Sequence, residues 1–242
     1  VDAARRVRGC LSALIAAVAV WAISSVADAI RDWAPLAYIA AAYWIPAMLV
    51  AGTAASDALK TTATAFERWL FRSDTALRRR LPPVPRAAVP ALEVAYLACY
   101  PLVPAGFLVV HLLGTSDDVN RFWTTVLTSG YACYGTLPWL QSRPPRLLAP
   151  LPHTPDSMSL FNVFVLNRIS HGWNTFPSGH AAMSIAVAVA LAPVSAGAAT
   201  VTAVVAAGVA IGAAVGRYHY VVDVLIGAMV AALSALIVGR SA

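Results

Sequence analysis

Charged side chains are scarce in this sequence. Asp, Glu, Lys and Arg make up only 12% of its 242 residues, and the mean hydropathy is +0.71, whereas soluble domains carry roughly 25% charged residues. This shortage excludes an ordinary soluble enzyme. In such an apolar chain, the net charge of +6 predicts attraction to anionic lipid head groups or phosphorylated substrates, and no nucleic-acid partner.

Cysteine is rare as well. Cys10, Cys99 and Cys133 lie far apart, each within an apolar run, so the sequence has neither a disulfide framework nor the ligand spacing of a metal site. We interpret the three as small core residues. The cysteines thus predict no metal site, and we expect no cofactor elsewhere in the sequence.

Long apolar runs, in contrast, are abundant. A membrane-spanning helix needs about 20 apolar residues, and a cleavable signal peptide is not expected because a second run follows the first at once. The runs cover about residues 10–30, 34–55, 88–113, 119–140, 179–194, 197–215 and 221–239. We expect an all-α, polytopic transmembrane bundle of six to seven spans, inserted as a multi-pass protein in a bacterial plasma membrane.

The polar stretches divide the chain into two parts of one integrated domain. Residues 1–86 are predicted to form a transmembrane hairpin followed by a basic segment with apolar residues at helical spacing. That pattern is typical of a helix lying in the membrane interface, although an ordinary cytosolic loop helix fits equally well. Residues 87–242 are predicted to form the catalytic helical core.

Glu93 stands among the apolar residues of the third run. A carboxylate there is costly, so we expect it to face the bundle interior with an Arg or Tyr partner. A functional role and a structural hydrogen bond between helices are equally compatible with this position.

Three polar clusters lie at the ends of apolar runs. RPPR, residues 143–146, follows the fourth run; PSGH, residues 177–180, precedes the fifth; and GRYHYVVD, residues 216–223, separates the sixth from the seventh. Counting alternate crossings places all three on the same face of the membrane. We therefore expect one phosphate site at the membrane surface.

The PSGH cluster has the composition of a helix start. Ser178 and Gly179 follow Pro177, and the N–H groups and positive dipole end of a helix start bind anions. Glycine allows an oxyanion close to the backbone, and His180 beside it can transfer a proton. His171 lies close enough to support this cluster.

The third cluster supplies a nucleophile. His219 and Asp223 are four residues apart and share a helical face, so the carboxylate can hold one imidazole nitrogen and leave the other to attack. Arg217 adds a fork of donors suited to phosphate. Two histidines, a carboxylate and several arginines, with no cysteine nucleophile, indicate phosphoryl transfer through a histidine.

FPSGHAA followed by GRYHYVVD resembles the second and third signature motifs of the type 2 phosphatidic acid phosphatase superfamily, over roughly residues 90–239. The resemblance implies that His219 forms a phosphohistidine, that Asp223 orients it, and that His180 protonates the departing oxygen. It also implies that the phosphate is held without a metal, by Arg217, Ser178, Gly179 and Arg143.

Two departures from the family pattern stand out. Thr136 occupies the position of the first-motif lysine, and Arg146 or Tyr134 would have to replace it. Arg217 precedes the histidine by two residues, not six. This shorter third motif resembles the branch that includes the inositol phosphorylceramide synthases.

These features predict a membrane phosphatase acting on a lipid phosphomonoester or pyrophosphate. An alternative is a phosphotransferase that moves the group to an alcohol such as inositol, and one of another class is a non-catalytic transporter or scaffold that binds phospholipids. A haloperoxidase fits poorly because that branch of the superfamily is soluble.

The distribution of Lys and Arg predicts that the site faces the cytoplasm, whereas the resemblance implies the opposite face of the membrane. The sequence makes no prediction about the oligomeric state.

Overall fold

The computed structural model describes residues 28–53, 64–148 and 155–241, together with single helical positions at 11, 14, 15, 18 and 21. The described part is helical and has no strand, apart from an isolated bridge between Ser142 and Asn174. The all-α prediction is thus confirmed for these residues. Most of the first apolar run, residues 10–30, lies outside them.

Ten α-helices run through the described part, with short 3₁₀ turns at Arg86–Ala88 and Pro145–Leu147. In chain order they are α1 (Asp28–Trp33), α2 (Pro35–Val50), α3 (Ala65–Arg78), α4 (Val89–Leu97), α5 (Cys99–Leu113), α6 (Ser116–Tyr134), α7 (Ser157–Ile169), α8 (Gly179–Leu191), α9 (Ala196–Val215) and α10 (Val221–Ser241).

Three helical stretches are long and apolar enough to cross a membrane: Ile30–Val50, Ala196–Val215 and Val221–Gly239. A fourth candidate combines Arg86–Leu97 with Cys99–Leu113, which meet at a 55° bend. These helices indicate a membrane protein. Among the described residues the candidates number three to four, so six to seven spans are not confirmed.

Two of the predicted spans correspond to helices that are too polar or too short to count as membrane-crossing candidates, each for a local reason. The first turn of α6 carries Asp117 and Asp118, with Arg121 close behind, so the helix is long enough but too polar. The apolar helix α8 has only 13 residues. The 55° bend between α4 and α5 also has a local cause, because Pro101 has no N–H to donate to the carbonyl of Leu97.

Helix α8 lies at the centre of the bundle and packs against α5, α6, α9 and α10. Its buried face is built from small residues such as Ala182, Ala186 and Ala190, which let its neighbours approach closely. Gly227 on α10 is one such approach, because a Cβ there would lie 2.6 Å from the carbonyl oxygen of Ser178. This packing brings the start of α8 against the first turns of α10.

Helix α3 is the described part of the basic segment. Thr64 caps it by accepting from the N–H of Glu67, and its buried face carries Glu67, Leu70 and Asp74, while Trp69 is half exposed. The inward face of this amphipathic helix therefore includes two carboxylates, which the apolar periodicity does not indicate. Residues 54–63, the start of the segment, lie outside the described part.

Candidate active site

The three polar clusters meet at one place in the fold. The N–H of Ser178 donates to the carbonyl of Asp223 at 3.0 Å, and the N–H of Arg146 donates to the carbonyl of Arg217 at 3.0 Å. The imidazoles of His180 and His219, 39 residues apart in sequence, face each other with Nδ1 of the former 3.4 Å from Nε2 of the latter. The structure thus brings both histidines into one site.

A tight turn after α9 places His219. Arg217 adopts the left-handed conformation, with φ of 55°, which is uncommon outside glycine. The N–H groups of Tyr218 and His219 then both donate to the carbonyl of Ala213, at 2.9 and 3.0 Å. The chain reverses within five residues and presents His219, which is only 4% exposed, just before α10 begins.

Asp223, in the first turn of α10, lies beside His219. Its Oδ2 is 3.5 Å from His219 Nδ1, which is longer than a hydrogen bond. The same oxygen accepts from the Asn174 side chain at 2.9 Å and from the N–H of Tyr220 at 3.1 Å. The carboxylate is thereby held next to Nδ1, and Nε2 of His219 is left facing His180.

Burial sets the protonation state of His219. It lowers the pKa of this imidazole to about 3, and the nearby positive charge of Arg146 lowers it as well. His219 is therefore neutral at ordinary pH, and its Nε2 carries a lone pair when the proton is on Nδ1, next to Asp223.

The start of α8 is built as a capped helix. The Ser178 hydroxyl is fully buried and accepts from the N–H of Ala181. Gly179 is needed for packing, because a Cβ there would lie 2.2 Å from the Tyr134 ring. The contact that the structure gives this glycine is thus with an aromatic ring, whereas the sequence predicted that it would admit an oxyanion.

Two predicted phosphate ligands have other neighbours. Arg143 makes a bidentate ion pair with Glu67, at 3.0 and 2.7 Å, and its N–H donates to the same carboxylate at 2.8 Å. Arg217 lies near Arg78 and Asp74; burial, followed by the charge of Arg78, lowers its pKa. Neither side chain lines the space between the two imidazoles.

Arg146 is the arginine that does line this space. It borders a cavity of about 20 Å³ together with His180, His219 and Thr175, which is room for about one water-sized group. Within the ranges that the structure describes, no carboxylate forms an ion pair with Arg146, in contrast to Arg143 and its partner Glu67. We call this space the phosphate cavity.

A second, larger cavity adjoins the first. It measures about 260 Å³ and is lined mostly by apolar side chains of α2, α5 and α8, such as Ile39, Val103 and Met183. Tyr43 and His180 line both cavities. His180 therefore stands between a small polar space and a large apolar one, which we call the apolar cavity.

A family model described as the PAP2 superfamily matches residues 121–241, half of the chain, and this range contains all three clusters. The chain belongs to the PAP2 superfamily. Members of this superfamily are phosphatases or phosphotransferases acting on phosphorylated substrates. Comparisons with curated proteins and with solved structures gave no match.

The PAP2 match begins within α6, so parts of the site come from outside it. Tyr43 of α2, Glu67 of α3 and Glu93 of α4 all precede residue 121. Within the described residues, no group of three or more His, Cys, Asp or Glu side chains is arranged to hold a metal ion.

Glu93 has the tyrosine partner that the sequence suggested. It is 2% exposed and accepts from the Tyr218 hydroxyl at 2.6 Å, from the Ser159 hydroxyl at 3.1 Å and from the Asn162 side chain. The acid therefore links α4 and α7 to the residue next to His219. Of its two expected roles, the interhelical hydrogen bond is the one that these contacts describe.

Two residues that shape this PAP2 site, Asn174 and Glu67, were not among the predicted site residues. Asn174, which is buried and holds Asp223, lies only three residues before Pro177, so its closeness to the motif was an available signal. Glu67 binds Arg143 from 76 residues away and had no local signal.

Proposed function

We propose that the protein is an integral membrane phosphatase that hydrolyses a lipid phosphomonoester or pyrophosphate through a phosphohistidine on His219. The observation that carries this proposal is the phosphate cavity, where His219 Nε2 faces His180 Nδ1 at 3.4 Å beside Arg146. One imidazole can attack phosphorus, the other can serve the departing oxygen, and the guanidinium can neutralise developing charge.

In the first step, the Nε2 lone pair of His219 attacks phosphorus. The P–N bond forms, the bond to the lipid oxygen breaks, and His180, which takes up a proton when the anionic phosphate binds beside it, gives that proton to the lipid oxygen. Asp223 stabilises the Nδ1–H of the imidazole that becomes positively charged. Arg146 and the first N–H groups of α8, which have no partners within the helix, neutralise the phosphoryl oxygens.

In the second step, water attacks the phosphohistidine. His180, now neutral, takes a proton from the water as its oxygen bonds to phosphorus and the P–N bond breaks. Inorganic phosphate leaves, and His219 regains its lone pair. No cofactor enters this scheme, and its absence remains a prediction.

Substrate entry requires the two rings to separate. Reacting atoms in a productive complex are about 3–3.5 Å apart, so a phosphoryl group between the imidazoles needs more space than the present 3.4 Å between their nitrogens. His180 also borders the apolar cavity, which gives its ring room to move.

The apolar cavity supports a lipid as the substrate. His180 would protonate the leaving oxygen, and the space on its far side is lined by apolar groups such as Leu36, Ile39 and Val103. A hydrocarbon chain attached to that oxygen would stay in apolar surroundings there, so the phosphate could reach the site without exposing the chain to water.

A release assay tests this function. Purified protein should liberate inorganic phosphate from a panel of lipid phosphates and only weakly from a short water-soluble phosphomonoester. His219→Ala should lose essentially all release because the nucleophile is gone, and His180→Ala should lose most with poor leaving groups. Full release by the His219→Ala variant would refute the proposal.

The same intermediate also permits transfer to an alcohol such as inositol, the alternative that the short third motif favours. An assay that supplies the alcohol together with labelled lipid phosphate distinguishes hydrolysis from transfer, because a transferase places the label on the alcohol. A protein that binds the lipid and does neither would be the non-catalytic transporter or scaffold. The bacterial plasma membrane and the side of the site stay predictions, and a reporter fused to the C-terminus would test the side.

A further inference from the structure

Tyr218, the residue before His219, is fixed on three sides. Its hydroxyl donates to Glu93 at 2.6 Å, and its ring stacks on Tyr96 with centroids 4.2 Å apart and an interplanar angle of 15°. The guanidinium carbon of Arg146 lies 5.5 Å from the centroid of the same ring. The ring is 3% exposed, so its orientation is set by these neighbours.

Glu93 anchors that tyrosine to the bundle. Besides the Tyr218 hydroxyl, it receives hydrogen bonds from Ser159 and Asn162 of α7. A buried carboxylate is retained only when donors satisfy it, so the loss of one donor disturbs the whole group. The Tyr218 hydroxyl is thus fixed by a hydrogen-bond network that includes residues of α4 and α7.

Arg146 depends on that ring for its placement. It sits in a 3₁₀ turn between Pro145 and Leu147, and its N–H donates to the carbonyl of Arg217. Its side chain lines the phosphate cavity and has no ion-pair partner in the described part of the chain. A cation over an aromatic face within about 6 Å is stabilised by the ring.

Thr136, which stands where the family's first motif has a lysine, makes other contacts. The Thr136 hydroxyl donates to the carbonyl of Cys133 at 2.8 Å and contacts the carbonyl of Phe176. It therefore holds the loop that leads into Pro177 and does not line the phosphate cavity. Among the arginines that the structure describes, Arg146 is the one that borders this cavity.

We propose that Arg146 supplies the phosphate-binding cation that Thr136 cannot, and that Tyr218 and Glu93 are positioning residues that hold Arg146 over the phosphate beside His219. This inference rests on the proposed function. Glu93 fixes the Tyr218 hydroxyl, and the Tyr218 ring in turn holds the Arg146 guanidinium.

Binding of inorganic phosphate and of orthovanadate to the purified full chain tests the inference without requiring turnover. Arg146→Ala should weaken binding about ten- to a hundred-fold, because a charge-assisted hydrogen bond is lost. Tyr218→Leu should weaken it about two- to thirty-fold, the range of a cation–π contact. In the Arg146→Ala background, Tyr218→Leu should have little further effect.

Two conservative variants keep the test informative if Tyr218→Leu folds poorly. Glu93→Gln should retain binding within about three-fold, since the amide still accepts from Tyr218 and can donate to the Asn162 Oδ1, which now has no partner. Tyr218→Phe should weaken binding more than Tyr220→Phe. The latter is the matched control, a buried tyrosine whose hydroxyl donates to the Arg143 carbonyl.

Three results would overturn the inference: additive effects of Tyr218→Leu and Arg146→Ala, equal losses in Tyr218→Phe and Tyr220→Phe, or unchanged binding in Arg146→Ala. If the native protein releases phosphate normally while one of these is observed, only this inference fails. If it neither binds phosphate or vanadate nor releases phosphate, the proposed function fails with it.

Discussion

At the scale of single residues, the reactive groups are set by local spacing and tuned by tertiary contacts. The PSGH motif predicted a helix start at Ser178, which is seen. The i, i+4 spacing of His219 and Asp223 predicted a shared helical face; the two side chains do lie next to each other, but His219 precedes α10, which begins at Val221. The partners that fix the carboxylate, above all Asn174, come from another segment, so local spacing alone could not show how it is held.

Burial of His219 makes stability depend on pH. Its folded pKa of about 3 lies below the unfolded value near 6.5, so between these two values the unfolded chain binds a proton that the folded protein does not. Stability therefore falls as pH drops from about 6.5 towards 3. At neutral pH both states are unprotonated, and this contribution vanishes.

The corresponding prediction is that His219→Phe flattens the acid side of the stability profile. The melting temperature in detergent, measured from pH 7 to pH 4, should fall less steeply for the variant than for the native protein. Unchanged slopes would mean that His219 is already protonated or accessible in the folded state.

At the scale of helices, α3 ties the site loops together. Asp74 accepts from the N–H of Val221, the first residue of α10, at 2.7 Å and pairs with Arg78 at 2.7 Å. Glu67 binds Arg143. Sequence periodicity indicated an amphipathic helix here, but it could not show that the buried face would carry carboxylates, because their arginine and N–H partners are distant in sequence.

Breaking the Glu67 contact should destabilise the protein. Glu67→Ala leaves the half-buried Arg143 guanidinium and its N–H without their acceptor, a loss we place at about 2–4 kcal/mol. Equilibrium unfolding in mixed micelles would measure it. Glu67→Gln, which keeps an acceptor for the N–H, should lose clearly less, and the prediction is wrong if both variants match the native protein.

The same scale explains why the span count differs from the sequence prediction. Apolar runs mark where helices are found, but α8 is a 13-residue helix and α6 begins with charged residues. A window of hydrophobicity also cannot show the bend near Pro101 that divides the third run into α4 and α5. Run length therefore predicted the presence of the helices better than their lengths and breaks.

At the scale of the whole molecule, the reactive groups come from the range that matches the family, but part of the apolar cavity wall comes from outside it. The PAP2 range supplies His180, His219 and Asp223, whereas α2, which lies outside that range, contributes Ile39 and Tyr43 to the wall of the apolar cavity. The chain folds so that its N-terminal part borders the space where we expect the hydrocarbon chain. Motif spacing predicted the convergence of the reactive groups; the cavity depends on packing between distant helices and had no sequence signal.

The central claim is a covalent bond between His219 and phosphorus. The most direct measurement is rapid quenching in alkali of the purified protein during turnover of a lipid phosphate labelled in its phosphoryl group, followed by peptide mapping. We expect the label on the peptide that carries His219 and its absence in His219→Gln. Label on His180, or continued turnover with no labelled histidine, would contradict the account.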